Sequence, residues 1–107
     1  MGSVIPLKKS ANSAYLDLKN HLAEKLSRVE ILIEEKPLES IRLAQKAIAI
    51  DATWENAYRI QMKAYIATGN RPQAINTYMK CEVVLEEEYA ISPLPETKKL
   101  LQEIEAI

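Results

Sequence analysis

From Tyr15 onward, apolar residues recur every three or four positions: Leu18, Leu22, Leu26, Val29, Leu32 and Ile33. That spacing places them on one face of a helix and predicts a long first helix over about 13–35. Pro37 then opens a second helix, at a first-turn position where its missing N–H is not needed. This helix runs to Ile50 with Ile41, Ala44, Ala47 and Ile48 facing inward. A third, with Thr53 as the expected cap, extends to Thr68 and packs through Ala57, Tyr58, Met62, Ala64 and Tyr65. Gly69 supplies the left-handed residue that ends it. Asn70, with Gln73 three residues on and Pro72 in the first turn, has the form of a capping box and starts a fourth helix. The fourth continues through Tyr78, Cys81, Val84 and Leu85 to about Glu88. After ISPLP, a short last helix over about 95–107 carries Leu100, Leu101 and Ile104. No segment alternates apolar and polar residues with strand periodicity over a useful length. The fold class expected is all-α, with about five helices.

Sliding the chain by 34 residues lays Ser40 on Ala74, Ile41 on Ile75, Lys46 on Lys80 and Ala47 on Cys81. A helix-pair unit of this period, with small residues where helices cross and a Gly between them, is similar to the tetratricopeptide repeat. Two units follow, 21–54 and 55–88, the second placing Tyr58, Met62, Tyr65, Gly69, Ala74, Tyr78 and Cys81 at the structural positions of the repeat. In the first, Glu35 stands in place of the turn Gly and Ala44 in place of a large aromatic. The last helix caps the second pair, and Leu100, Leu101 and Ile104 are expected to cover its open side.

A narrower resemblance lies in ENAYRIQMKAYIATGNRPQAINTYMKCEVVLEEEYAISPLPETKKLLQEI. Here Glu55, Ala57, Tyr58, Arg59, Met62, Ala64, Tyr65, Gly69, Arg71, Ala74, Ile75, Tyr78, Cys81, Leu85 and Glu88 precede a terminal run of Pro93, Pro95, Glu96 and Thr97. No general repeat predicts that P-x-P-E-T ending. The pattern resembles the bacterial transcriptional activation domain of antibiotic-regulatory-type activators. Three positions depart from it: Gln61 for Leu, Ala90 for a turn Gly, and Leu94 for a capping Ser. The resemblance implies a right-handed α-α superhelix fragment over 13–107. It also implies a protein-interaction and regulatory module of a bacterial transcription regulator, whose winged-helix DNA-binding domain, sometimes preceded by a receiver as in a response regulator, lies outside this chain. A different class of answer is a free-standing tetratricopeptide adaptor, or the sensory domain of a signalling ATPase.

Fourteen basic and fifteen acidic residues give a net charge of −1. The whole-molecule field that draws a protein onto nucleic acid is therefore absent, and no direct DNA or RNA binding is expected of this chain. The lone Cys81 has no internal disulfide partner, and neither a signal peptide nor an apolar run of membrane-spanning length is present. A cytoplasmic setting and no membrane partner are expected. Met1-Gly2-Ser3 has the look of an expression-tag remnant, and 1–12 reads as such a remnant or a flexible lead.

Candidate chemistry is sparse. His21 has no second His or Cys at ligand spacing, Cys81 occupies a small position at a helix crossing, and the tyrosines fall at helical spacing as core wedges. Glu86, Glu87 and Glu88 form an acidic run that reads as a solvated face. No Gly-rich phosphate loop, nucleophile motif or pKa-splitting carboxylate pair appears, so no enzyme activity, metal or cofactor is expected.

A groove remains. In tetratricopeptide units the first helix of each pair lines a concave surface, which in this register holds Lys25, Val29, Leu32, Asn56, Arg59, Lys63 and Ile66. Its three cations suit an acidic segment of a protein partner: the regulator's own DNA-binding or receiver domain, or the transcription machinery. Arg59, also a motif residue, has the alternative of pairing with a carboxylate at the edge of the core. Tyr15 and Leu18, on the front of the long first helix, need cover from the last helix or from a second copy in a weak homodimer.

Overall fold

The computed structural model describes the backbone of residues 4–107 and the side chains of residues 13–107. Five helices follow one another: α1 (Val4–Ile31), α2 (Pro37–Ile50), α3 (Glu55–Ala67), α4 (Arg71–Tyr89) and α5 (Pro95–Glu105). No strand occurs among the described residues. The fold is all-α and tetratricopeptide-like: α1 packs on α2, α2 on α3, α3 on α4, and α5 closes against α3 and α4. None of these helices is long and apolar enough to cross a membrane.

Helix α1 departs from its expected bounds at both ends. It begins at Val4, because between Pro6 and Pro37 there is neither Gly nor Pro to start or break a helix. The tag-remnant reading of 1–3 lies outside the described residues. It ends at Ile31, short of 35: Leu32 N donates to Val29 O at 2.9 Å and Lys36 N to Leu32 O at 2.8 Å, tightening the chain into a turn. Pro37 disfavours helical backbone at the residue before it, and Lys36 sits at φ −132° and ψ 56°.

The first core layer joins Leu26 and Ile33 of the α1 region, Ala44 and Ala47 of α2, and Ala57, Ile60 and Ala64 of α3. Alanines at these crossings let three helices approach closely. Fully burying each larger side chain contributes about 1.5–3 kcal/mol. Of the predicted α1 face, Leu22, Leu26 and Ile33 are buried, whereas Tyr15, Leu18 and Leu32 remain exposed. The last helix does not fold back over Tyr15 and Leu18, since α5 packs only on α3 and α4.

The turn after α2 is organised by Asp51, whose Oδ1 accepts from Thr53 N at 3.0 Å and from Thr53 Oγ1 at 2.7 Å. Thr53 is thus spent on Asp51 and does not cap α3; Trp54 holds that position without a side-chain cap. Lys19 reaches across from α1 to Asp51 Oδ2 at 2.6 Å and lies 5.3 Å from the centre of the Trp54 ring. The helix joint at Gly69 is as predicted, with φ +75°. Gly69 N donates to Ile66 O and Asn70 N to Tyr65 O, at 2.9 and 2.8 Å, so two carbonyls left open at the end of α3 are satisfied. Asn70 Oδ1 accepts from Gln73 N at 3.3 Å, but only this half of the capping box forms, because Asn70 N is already committed to Tyr65.

The second core layer joins Met62, Ala74, Tyr78 and Ile104, with Leu100 and Leu101 packed on it. The last helix therefore covers the second pair through the three residues predicted to do so. Between α4 and α5, Ala90 takes the left-handed conformation at φ 54° and ψ 40°, holding without a glycine the turn that the related pattern gives to one.

Candidate functional site

The residues assigned to one groove by repeat register separate into four places. Asn56 lies half-buried on α3 and lines neither of the two cavities described below. Arg59 lies in the seam between α3 and α5. Its Nη1 donates to Thr97 Oγ1 at 2.8 Å, and Thr97 Oγ1 donates to Glu55 Oε2 at 2.6 Å. Glu55 Oε2 also accepts from Leu94 N at 3.0 Å, and the guanidinium stands 3.8 Å from Glu55 and 3.7 Å from Glu96. The side chains of Arg59 and Glu55 are only 14% and 10% exposed. Arg59 is therefore a clamp for α5 and not a groove cation, the second of the two roles its position left open. The motif residues Glu55, Arg59, Glu96 and Thr97 thus form one structural unit that fixes the start of the last helix, where Leu94 supplies no side-chain cap.

Lys63 and Ile66 line a depression of about 300 Å³ between α1, α3 and α5, floored by Ile33, Leu100, Ile104 and Ile107. Its charged rim is mostly acidic, with Glu30, Glu34 and Glu103. Lys63 Nζ donates to Glu30 Oε1 at 3.4 Å, so its charge is taken up within the chain.

Lys25, Val29 and Leu32 line a different cavity, of about 350 Å³, between α1 and α2. Val29, Leu32 and Leu43 form its apolar floor, and Lys25, Arg28, Lys36, Arg42 and Lys46 stand round it with Glu39 as the sole acid. Arg28 pairs with Glu24 one turn away, at 3.0 Å. Among the described residues no ion pair engages Lys25, Lys36, Arg42 or Lys46. On a chain of net charge −1 this is a concentration of positive charge, and the low-dielectric apolar floor beneath it focuses its field. No residue of α3, α4 or α5 lines the cavity. The α2 contribution escaped register reasoning, which takes only the first helix of each pair. Its signal was nevertheless written in the spacing of Glu39, Arg42, Leu43 and Lys46, which share one helical face.

The remaining chemistry-bearing side chains are structural. Burial, followed by the nearby Glu55 carboxylate, pushes the Cys81 thiol up to about 12, so it is a packed, unreactive thiol at neutral pH. Tyr58 is raised mainly by burial, and its hydroxyl donates to Ala52 O at 2.7 Å. Tyr78 is likewise raised by burial first. Gln61, 6% exposed in the core, donates to Gln45 Oε1 at 2.8 Å, so the polar residue that replaces a Leu of the related pattern is satisfied. His21 is exposed. Among the described residues no group of three His, Cys, Asp or Glu is gathered as for a metal.

Comparison with known families matches residues 19–105 to the bacterial transcriptional activator domain. No curated protein and no solved structure matches the chain.

Proposed function

The chain belongs to the bacterial transcriptional activator domain family, which gives it a regulatory role in transcription activation, and on that premise we propose that it acts as a protein-interaction module. In this reading the DNA-binding domain lies outside the chain and the helical domain couples it to a protein partner: a neighbouring domain of the same regulator or the transcription machinery. The observation that carries the reading is the α1/α2 groove, an apolar floor ringed by cations of which four have no ion partner among the described residues. An acidic amphipathic segment matches it in both respects: its apolar residues meet Val29, Leu32 and Leu43, and its carboxylates meet the rim. The site would operate in the cytoplasm, needs no cofactor and involves no catalytic step.

The test is reversal of Lys25, Arg42 and Lys46 to Glu in the full-length regulator. Like charges across an interface repel by several kcal/mol, whereas neutralising a rim charge removes little. Promoter activation is expected to collapse while promoter binding and the melting temperature of the domain are retained. Full activation by a folded triple variant would overturn the proposal. The isolated chain, with a net charge of −1, should show no salt-sensitive shift of duplex DNA in a gel.

A further inference from the structure

The chain carries on another helix a surface whose chemistry is the complement of this groove. Along α4 the side chains of Ala74, Tyr78, Cys81 and Leu85 face the core. On the opposite face, Met79 and Val83 lie one turn apart and are 55% and 53% exposed. Glu82, Glu86 and Glu87 are exposed and flank this short apolar ridge. Glu82, Val83, Glu86 and Glu87 also border a shallow depression that continues to Ile91. Among the described residues no other helix covers the ridge, and the α4 backbone does not come close to that of α1 or α2. One molecule therefore cannot bring its own ridge to its own groove in this fold.

We propose that the α1/α2 groove of one copy receives the acidic α4 ridge of a second copy. The assignment rests on the reading of the groove as a protein-binding site and names its occupant. Met79 and Val83 meet the floor of Val29, Leu32 and Leu43, and Glu82 and Glu86 meet Arg42 and Lys46. Because the two surfaces are different, the contact is heterologous. Every copy added leaves one groove and one ridge open, so association continues head to tail and does not stop at a two-fold dimer. Adjacent copies of a regulator bound along DNA would thereby be coupled through their helical domains. The contact depends on exposed rim charges, so it is salt-sensitive and is strengthened wherever copies are held close together.

Sedimentation velocity over a concentration series into the hundreds of micromolar tests this with the chain itself. At low salt the average mass should rise with concentration and pass beyond that of a dimer. Raising salt to about 0.5 M should weaken association roughly tenfold, because the Debye length falls to a few ångströms. Two surface variants then test the geometry: Arg42→Gln with Lys46→Gln disables the groove, and Glu82→Gln with Glu86→Gln disables the ridge. Each variant alone should stay monomeric with unchanged helicity and melting. Their equimolar mixture should form a one-to-one dimer and nothing larger, because only one groove and one ridge remain intact. A monomeric parent throughout the series, salt-insensitive association, or variants that assemble as the parent does would overturn the proposal. A monomeric parent alongside loss of activation by the Lys25, Arg42 and Lys46 reversal would remove the second copy as occupant and leave the groove as the site for another protein.

Discussion

Where α3 meets α5, a guanidinium only 14% exposed is met by a threonine hydroxyl and two carboxylates, and the backbone N–H of Leu94 is taken up by the same Glu55. Where α1 meets α2, Lys25, Lys36, Arg42 and Lys46 have no ion partner among the described residues and surround an apolar floor open to solvent. Both regions are helix seams of one repeat architecture, and both place positive charge beside apolar surface. The first is finished internally: its charges are compensated and its apolar residues are covered by α5. The second is left incomplete, with unspent charge and exposed apolar surface at one place. Internal compensation stabilises a fold, and uncompensated charge over apolar surface invites a partner, so the difference separates the part of the domain that holds it together from the part that can be occupied.

The sharpest way to break the comparison is to reverse Arg59. Arg59→Glu puts a third carboxylate beside Glu55 and Glu96 in a largely buried seam, and the expected loss is about 3–5 kcal/mol of folding stability. Urea unfolding followed by circular dichroism reads it. A loss below 1 kcal/mol would place Arg59 among the surface cations after all. A smaller effect of opposite sign is expected at the turn leading into α5. Ala90 holds a left-handed conformation that disfavours any residue with a Cβ, so Ala90→Gly should stabilise the domain by about 1 kcal/mol. An unchanged unfolding midpoint would mean that the flanking contacts already offset the strain.

Asp51 sharpens the comparison from the side of α1, where Lys19 ties that helix to the turn after α2. Burial pushes the Asp51 carboxyl up, but the hydrogen bonds from Lys19 and from the Thr53 side chain and backbone outweigh it and leave the group below its ordinary value. A carboxylate depressed on folding contributes stability that is present above its ordinary value of 3.8 and is lost as pH falls through the lower folded value. Asp51→Asn should therefore cost about 1 kcal/mol at neutral pH, and the difference from the parent should vanish as acid protonates Asp51. A constant difference across the acid range would assign the loss to packing and not to charge. The smallest expected effect is on the groove itself: Lys25→Glu, Arg42→Glu and Lys46→Glu should each change stability by no more than about 0.5 kcal/mol, since these exposed side chains make no ion pair among the described residues.

The sequence makes the internally finished region more legible than the open one, and the reason is physical. Gly69, Asn70 and Pro72 act through local backbone geometry, so the α3–α4 joint can be read from neighbouring residues. The apolar faces of α3, α4 and α5 follow helical period and emerge as the observed core. Arg59 could not be placed the same way: its partner Thr97 is 38 residues distant, and only the arrival of α5 turns an apparently outward cation into a clamp. The groove fails for the reverse reason. Repeat register drew attention to Lys25, Val29 and Leu32 on α1, but the cavity needs Arg42, Leu43 and Lys46 from α2, a helix that register assigns to the other side. The bounds of α1 were also hidden, because nothing between Pro6 and Pro37 marks a local stop.

The central claim is that the α1/α2 groove selects an acidic amphipathic partner. Fluorescence anisotropy with two labelled helical peptides of identical apolar spacing, one bearing glutamates and the other lysines, tests it most directly. The glutamate peptide should bind the parent domain with an affinity that falls as salt rises, and binding should vanish with Lys25→Glu, Arg42→Glu and Lys46→Glu. Equal binding of the lysine peptide, or glutamate-peptide binding that survives the triple reversal, would contradict the account.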